Sequence, residues 1–128
     1  MSRGLADTSF FVARETGRAV ATDSLPDELA VSVITVGELR AGVLAATGTE
    51  DRDRRLSTLI AVLELDPLPI DGAVAEAWAR LRIALRDAGR QMGVNDSWIA
   101  ATAIAHSVPV VTQDDRFIEL AGLTVIRA

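Results

Sequence analysis

The sequence predicts an α/β protein in which three layers, α/β/α, enclose a central, mostly parallel sheet of four to five strands. Short apolar runs alternate with amphipathic helical segments along the 128 residues, an order typical of parallel α/β folds. Hydrophobic residues make up 49% of the chain, which indicates a globular protein. Because no repeat or linker interrupts the alternation, residues 1–128 are expected to form a single domain.

The chain opens with a strand and a helix. Gly4-Leu5-Ala6 is a short apolar run that predicts the first strand, and a helix is expected to contain residues 10–13. Thr8 or Ser9 is expected to cap this helix, because a short hydroxyl side chain can accept a hydrogen bond from the free amides of the first turn. A turn at residues 25–28 separates the helix from the next strand.

A second strand and two helices follow. Residues 29–32 are apolar and partly β-branched, which predicts a buried strand. The next helix is expected from about residue 33 to residue 46, and another begins near Glu50. The apolar residues of this later helix recur at the spacing of one helical face. They are Leu56, Leu59, Ile60 and Leu63.

The clearest helical pattern lies in the second half of the chain. Prolines restrict residues 67–70 to a short or edge strand, and Asp71 is expected to cap the helix that follows. Gly89 or Gly93 ends this helix. Its apolar stripe alternates between spacings of four and three residues, as a core-facing helix does. The stripe consists of Val74, Trp78, Leu81, Leu85 and Ala88.

The C-terminal third completes the alternation. Asn95 is expected to cap an alanine-rich helix that contains residues 99–106. A strand over residues 108–112, a short helix around residues 117–120 and a last strand over residues 123–126 follow.

Four acidic residues stand close to the ends of these strands or in the helices after them: Asp7, Glu38, Asp96 and Asp114. Because a parallel α/β sheet binds its ligands outside the C-terminal ends of its strands, these side chains are expected to converge. Taken singly, an Asp in such a turn often only caps a helix or meets its dipole. Together the acids predict a site for one or two Mg²⁺ or Mn²⁺ ions, which prefer oxygen ligands and promote phosphodiester hydrolysis.

The composition excludes several other chemistries. There is no cysteine, which excludes a disulfide framework, a thiolate zinc site and a cysteine nucleophile. All 13 basic residues are arginine, so neither a P-loop lysine nor a Schiff base is available. His106 is the only histidine, which excludes a two-histidine ribonuclease. The net charge of −5 argues against a nucleic-acid partner, but bound cations would offset part of it locally.

Four segments of the chain resemble the PIN-domain ribonucleases, in particular the VapC toxins of bacterial toxin–antitoxin pairs. The most specific is Asn95-Asp96-Ser97-Trp98-Ile99-Ala100-Ala101-Thr102-Ala103. The other three are residues 5–9, 32–39 and 110–117. The acids of the family fall, in order, on Asp7, Glu38, Asp96 and Asp114.

The resemblance implies a Mg²⁺- or Mn²⁺-dependent endoribonuclease that inhibits translation, a homodimer, and neutralisation by a cognate VapB-like antitoxin. Asp7, Asp96 and Asp114 would hold metal, and Glu38 would act as a further ligand or as a proton acceptor. The family often carries an Asp directly before the Phe of the last motif, where this chain has Arg116. Either Asp114 alone or Asp115 as well would then contact the metal.

Several neighbouring residues are candidates for supporting roles. The hydroxyls of Ser9 and Thr112 could orient a carboxylate, or could form only local turn hydrogen bonds. Arg82 and Arg86, which recur at a spacing of four with Arg90, could neutralise RNA phosphates or could form a solvated face. Arg116 could steer RNA or hold Asp114 in place.

The same residues leave other functions open. The ions that promote RNA hydrolysis would serve equally for a nuclease acting on DNA or on structured substrates. A non-catalytic module that binds RNA or a protein partner through structural acids is a further alternative. A cytoplasmic location is expected, because the N-terminus lacks the apolar core of a signal peptide and no segment has the roughly 20 apolar residues needed to span a membrane.

Overall fold

The computed structural model describes residues 2–128, and in this part of the chain it contains four strands and five α-helices. The strands are β1 (Arg3–Ala6), β2 (Glu28–Ala30), β3 (Val110–Thr112) and β4 (Val125–Arg127). The helices are α1 (Thr8–Glu15), α2 (Val33–Ala45), α3 (Thr49–Leu63), α4 (Gly72–Asp87) and α5 (Val94–Ala105). The strands are ordered β2-β1-β3-β4, and every pairing is parallel. The predicted α/β/α fold is confirmed, with four strands in its sheet.

The two central strands divide the core between two helical layers. Successive residues of a strand point to opposite faces of the sheet. Leu5 and Val110 are buried in the cluster that contains the apolar residues of α4 and α5. Their neighbours Ala6 and Val111 are buried in the cluster formed with α1, α2 and α3. Because both faces of β1 and β3 are covered, consecutive residues at their centres are apolar, as in Leu5-Ala6 and Val110-Val111.

The first helix starts one residue earlier than the hydroxyl side chains predict. Asp7, rather than Thr8 or Ser9, is the N-cap of α1, and its Oδ1 accepts a hydrogen bond from the backbone N–H of Phe10 at 3.1 Å. Asp7 keeps extended dihedral angles, which allow its carboxylate to turn back onto this amide. Asp7, the first of the four acids, therefore also stabilises the start of α1.

The N-terminal boundaries of the later helices are predicted correctly in part. The predicted cap of α4 is confirmed, because Asp71 Oδ1 accepts from the N–H of Val74 at 3.0 Å. Ser32, predicted to end a strand, instead caps α2. Asn95 is not the cap of α5, which begins at Val94 after Gly93. Because Asn95 lies within the first turn, its side chain is free to reach another element.

The predicted core face of α3 is partly wrong. Leu59 is buried, but Ile60 and Leu63 are 51% and 47% exposed, and Val62 is buried in their place. The buried positions Leu59 and Val62 lie three residues apart, as does Leu56, which packs against the same cluster. Since α3 packs mainly on α2, it buries a narrower stripe than a helix that lies flat on a sheet.

The predicted apolar stripe of α4 is confirmed at Val74, Leu81 and Leu85, which are buried. Trp78 is only partly buried, and Ala88 lies beyond the end of the helix and is exposed. The extra buried position is Ala77.

The segments outside the sheet centre are less regular than predicted. Residues 67–70 form no full strand, and only Leu68 makes a bridge, to Ser32. Residues 117–120 do not form a helix, although Phe117 is fully buried and anchors them. Strand β3 is shorter than predicted, since it covers residues 110–112 rather than 108–112. Strand β4 is shifted, since it covers residues 125–127 rather than 123–126. Within residues 2–128, no helix combines the length and hydrophobicity required to cross a bilayer.

Candidate active site

The strand order brings two of the predicted acids side by side at the centre of the sheet. Asp7 follows β1 directly and Asp114 stands two residues after β3, and these strands are hydrogen-bonded neighbours. Strand β2 lies beside β1, and β4 lies beside β3, so the chain leaves the two central strands in opposite directions. Such a reversal opens a crevice at the C-terminal ends of the strands, where ligands bind in open parallel sheets.

The helices supply the other two acids to the same crevice. Asp96 lies in the first turn of α5, and Glu38 lies in the second turn of α2. Glu38 and Asp96 line one surface cavity of about 380 Å³, together with Arg116. All four acids are close enough for Asp7, Glu38 and Asp114 to raise the pKa of Asp96. The structure therefore brings together all four residues that the sequence singled out.

Asp7 is the most enclosed of the four acids. It is 2% exposed, and burial raises the pKa of its carboxyl even though three donors oppose that rise. The hydroxyl of Thr112 donates to Oδ2 at 2.7 Å, and that of Ser9 donates to Oδ1 at 2.8 Å. The third donor is the N–H of Phe10. Hydrogen bonds to the charged form make burial of this carboxylate tolerable.

Ser9 and Thr112 also fix the segment that carries Asp114. The hydroxyl oxygen of Ser9 accepts from the N–H of Gln113 at 3.1 Å, and that of Thr112 accepts from the N–H of Asp114 at 2.8 Å. Each hydroxyl thus donates to Asp7 and accepts from the backbone after β3. The two predicted supporting residues connect the first acid of the site to the last.

Asp114 is held by Arg116. The guanidinium of Arg116 spans both carboxylate oxygens, with Nη2 2.6 Å from Oδ2 and Nε 3.0 Å from Oδ1. These hydrogen bonds hold the pKa of Asp114 below its usual value. Arg116 is 73% exposed while Asp114 is only 16% exposed, so the arginine closes over the acid from the solvent side.

Asp96 has the opposite environment. Burial, and then the nearby charge of Asp114, raise the pKa of Asp96 to about 6, and Arg116 only partly opposes the rise. Within residues 2–128 its carboxylate accepts no hydrogen bond from another side chain or amide. The site therefore contains one carboxylate whose charge is poorly compensated by the chain itself, and this is the environment in which a cation is favoured.

Two polar residues near Glu38 were not predicted from the sequence to belong to the site. The hydroxyl of Thr8 donates to Glu38 Oε1 at 2.6 Å, and the amide of Asn95 lies 3.4 Å from Oε2. Both residues are adjacent in sequence to a predicted acid, which is the only signal that could have indicated them. They connect α1, α2 and α5 across the crevice.

Arg127 was also missed, and nothing near it in the sequence indicates a role. Its guanidinium, from β4, donates to the backbone carbonyls of Asp114 and Phe117. It thereby closes the irregular segment after β3 against the sheet edge and supports the position of Asp114.

The remaining predicted residues lie outside this network. Asp115 is exposed, and within residues 2–128 its side chain makes no hydrogen bond or ion pair. Arg82 and Arg86 lie on α4, in a separate cavity beside the acids. Trp78 and Trp98 stack on each other, with ring centroids 4.4 Å apart.

The donor set fits a hard divalent cation, since it consists of carboxylate and hydroxyl oxygens with no sulfur and no imidazole. Among residues 2–128, however, no three acidic or histidine side chains are already arranged as a metal cage. Asp7 is turned toward two hydroxyls and Asp114 toward Arg116. Coordination of one ion by Asp7, Asp96 and Asp114 would therefore require Asp114 to exchange its contact with Arg116.

Comparison with known proteins identifies the family. The sequence pattern of the PIN domain matches residues 5–123, which includes all four acids. The chain belongs to the PIN-domain family. Its relatives place it among the VapC-type ribonucleases of that family. It is 49% identical over 119 residues to ribonuclease VapC5 of Mycobacterium tuberculosis, covering 93% of this chain and 88% of the relative. It is 48% identical over 124 residues to ribonuclease VapC4 of the same organism, covering 97% and 95%.

Solved structures agree with this assignment. The PIN domain described here superimposes on a chain of VapBC-5 from Mycobacterium tuberculosis, a member of the VapBC family of toxin–antitoxin systems, with a TM-score of 0.91. The two chains are 43% identical, and each is covered completely. A chain of FitAcB from Neisseria gonorrhoeae gives a TM-score of 0.75 at 30% identity, with 96% of each chain covered.

Proposed function

We propose that this chain is the toxin of a VapBC-type toxin–antitoxin pair, a Mg²⁺- or Mn²⁺-dependent endoribonuclease that inhibits translation by cleaving RNA. The observation that carries the proposal is the convergence of Asp7, Glu38, Asp96 and Asp114 at the reversal of a PIN-type sheet. Residues 1–128 would act as a single catalytic domain in the cytoplasm.

We propose a role for each acid. Asp7, Asp96 and Asp114 would hold the metal ion, which when bound would polarise the phosphodiester and activate water for attack. Glu38 would accept the proton of the attacking water. Its Oε1 is oriented by the hydroxyl of Thr8, which keeps the carboxylate directed across the crevice. Ser9 and Thr112 donate hydrogen bonds to the buried Asp7, which partly offset the rise of its pKa that burial causes.

The chemical products test this mechanism. Since the chain has one histidine and no lysine, it has no histidine pair to activate the 2′-hydroxyl of RNA. Water is therefore the expected nucleophile, and cleaved RNA should carry 5′-phosphate and 3′-hydroxyl ends. Labelled RNA incubated with Mn²⁺ should be cut, and EDTA should stop cleavage. Ends of the 2′,3′-cyclic phosphate type, or cleavage that persists in EDTA, would contradict the proposal. DNA of the same sequence, included as a competitor, separates an RNA-specific enzyme from a general nuclease.

Arg116 is expected to compete with the metal ion for Asp114. In Arg116→Gln the carboxylate loses its bidentate partner and the site loses a nearby positive charge. Because Arg116 is largely exposed, its ion pair with Asp114 is expected to contribute about 1 kcal/mol, so Mn²⁺ affinity should rise about threefold to fivefold. Titration of Mn²⁺ by electron paramagnetic resonance, without RNA, measures this directly.

Arg80→Gln is the matched control for this titration. Arg80 also forms an exposed ion pair, 3.0 Å from Glu76, but it lies on α4 away from the four acids. Its Mn²⁺ affinity should equal that of the wild type. Weaker binding in Arg116→Gln would mean that Arg116 orients Asp114 for the metal rather than competing with it.

A protein partner is part of the proposal. The VapBC-5 structure, to which this chain is similar, is named as a member of the VapBC family of toxin–antitoxin systems. We propose that a cognate VapB-like antitoxin binds this chain and that two copies form a homodimer. Exposed apolar side chains on α2 and α3, including Leu44 and Ile60, offer surface for such contacts. Co-expression with the adjacent antitoxin gene, followed by chromatography with light scattering, gives the composition of the complex.

A further inference from the structure

A second cavity, rich in arginine, lies between α4 and α5 beside the acidic site. It has a volume of about 540 Å³. Three of its ten lining residues, Arg82, Arg86 and Arg90, are cationic, and none of the ten is acidic. In a chain whose net charge is −5, a concave surface with three positive charges is a local exception to the overall charge. Clustered arginines of this kind attract phosphate groups.

The stacked tryptophans hold one of these arginines in place. The guanidinium carbon of Arg82 lies 4.9 Å from the centre of the Trp78 ring. The indole N–H of Trp78 donates to the hydroxyl of Ser97 at 3.0 Å, and Trp98 stacks on the same indole. A guanidinium held over a fixed ring loses less freedom on binding than a mobile one. Ser97 is the residue after Asp96, so the platform is attached directly to the acidic site.

The two cavities are adjacent at the start of α5. Val94 lines both the arginine-rich cavity and the cavity that contains Glu38, Asp96 and Arg116. Val94 is 70% exposed. A ligand that occupies the acidic site can therefore extend over Val94 into the arginine-rich cavity.

Arg82 and Arg86 are spaced for successive contacts. They lie one helical turn apart on α4, about 6 Å along the helix axis. Within the described residues 2–128, Arg86 pairs only with its neighbour Asp87, at 3.2 Å and with both side chains largely exposed. An exposed pair of this kind is weak and can be exchanged for a phosphate.

We propose that this cavity binds the sugar-phosphate backbone of the single-stranded RNA that flanks the scissile bond on one side. The inference rests on the proposed nuclease function, because it takes the acidic site as the position of the scissile phosphate. Arg82 and Arg86 contact successive phosphates, and Arg90, in the loop after α4, adds a third positive charge. Since Trp98 already stacks on Trp78, the tryptophans serve as a platform for Arg82 rather than as partners of the bases.

The test compares two double variants that carry the same change in charge. Arg82→Gln/Arg86→Gln removes the proposed contacts. Arg3→Gln/Arg80→Gln removes two exposed arginines elsewhere, one at the start of β1 and one paired with Glu76 on α4. Binding of a fluorescent single-stranded RNA is measured by anisotropy in EDTA, which prevents metal-dependent cleavage, over a range of salt concentrations. Circular dichroism checks that both variants are folded.

For Arg82→Gln/Arg86→Gln we expect RNA affinity about tenfold lower, and a salt slope reduced by about 1.4, since each phosphate contact contributes roughly 0.7 on single strands. The control variant should stay within about twofold of the wild type. Extending the oligonucleotide on one side, 5′ or 3′, should add affinity that Arg82→Gln/Arg86→Gln loses. Any affinity added by extension on the other side should be the same in the variant and the wild type. An unchanged salt slope, or equal loss in the control, would overturn the inference.

Three further results separate this inference from the proposed function. If the wild type cleaves RNA with Mn²⁺ but the arginine variants bind and cleave normally, the nuclease assignment stands and the cavity is not an RNA site. If the variants lose affinity for the antitoxin but not for RNA, the cavity binds an acidic protein segment and the inference is wrong. If RNA binding depends on Arg82 and Arg86 while no cleavage occurs, the binding site stands and the nuclease function fails.

Discussion

Asp96→Asn should abolish RNA cleavage and at the same time make the metal-free protein more stable. Replacing the carboxylate by an amide removes a proposed metal ligand with almost no change in shape. We expect a loss of about 10³-fold in kcat/KM, which corresponds to about 4 kcal/mol of transition-state stabilisation. Cleavage of a labelled RNA under single-turnover conditions with Mn²⁺ measures it.

The gain in stability follows from the raised pKa of Asp96. The charged form is disfavoured in the folded protein by burial and by the charge of Asp114, and the pKa of about 6 expresses this cost. A carboxyl whose folded pKa is raised contributes most to stability at low pH, and this contribution is lost as the pH rises from about 4 through 6. At pH 7.5 the neutral amide should therefore stabilise the metal-free protein by about 1 kcal/mol, after allowance for solvent screening.

Thermal unfolding at several pH values measures this effect. In EDTA at pH 7.5, Asp96→Asn should melt roughly 3–5 °C above the wild type, and the difference should close as the pH approaches 4. Added Mn²⁺ should stabilise the wild type but not the variant, because only the wild type retains the ligand.

Asp115→Asn is the control for both measurements. Asp115 is the acid next to Asp114, but it is exposed, and its replacement should change activity by less than about twofold. A fully active Asp96→Asn would exclude Asp96 from the reaction, and an unfolded one would assign it a structural role at the start of α5. Loss of activity in Asp115→Asn would instead place Asp115 at the metal.

The four acids could be predicted from the sequence because their positions depend on regular features. Asp7 directly follows a central parallel strand and Asp114 follows the neighbouring one closely, and the C-terminal ends of such strands meet at one edge. Asp96 lies in the first turn of a helix that leads into the sheet. The boundaries of β1 and α2 and the start of α4 were predicted within a residue or two for the same reason, since apolar periodicity and caps act locally.

The parts that could not be predicted depend on contacts between distant segments. Asn95 is a residue type that often caps helices, but Gly93 is the N-cap of α5. The side-chain amide of Asn95 lies near the carboxylate of Glu38 instead. Arg127 supports the segment of Asp114 from 13 residues away, across the edge of the sheet. Ile60 and Leu63 fit an apolar helical face, yet they are exposed because α3 packs on α2 along a narrower stripe. Local pattern does not contain this information.

Thr112→Val should impair both the stability and the activity of the protein through Asp7. The change keeps the shape of a fully buried side chain but removes a hydroxyl that donates to Asp7 Oδ2 and accepts from the N–H of Asp114. The carboxylate loses a donor and the partly buried amide loses its acceptor, at a cost of about 1–3 kcal/mol. Residues that orient a metal ligand typically contribute 10- to 100-fold to activity, and we expect a loss of that size, measured as kcat/KM with Mn²⁺.

The pH dependence distinguishes orientation of Asp7 from a general loss of stability. The hydrogen bond from Thr112 lowers the pKa of Asp7, so its removal should raise that pKa and move the acid limb of the pH–rate profile to higher pH. Thr112→Ser keeps the hydroxyl and should restore the wild-type profile. Thr102→Val is the matched control, since Thr102 is equally buried but donates only to the carbonyl of Trp98 within α5. If Thr112→Val lost activity without a change in the pH profile, as a merely destabilised variant would, Thr112 would not be acting through the charge of Asp7.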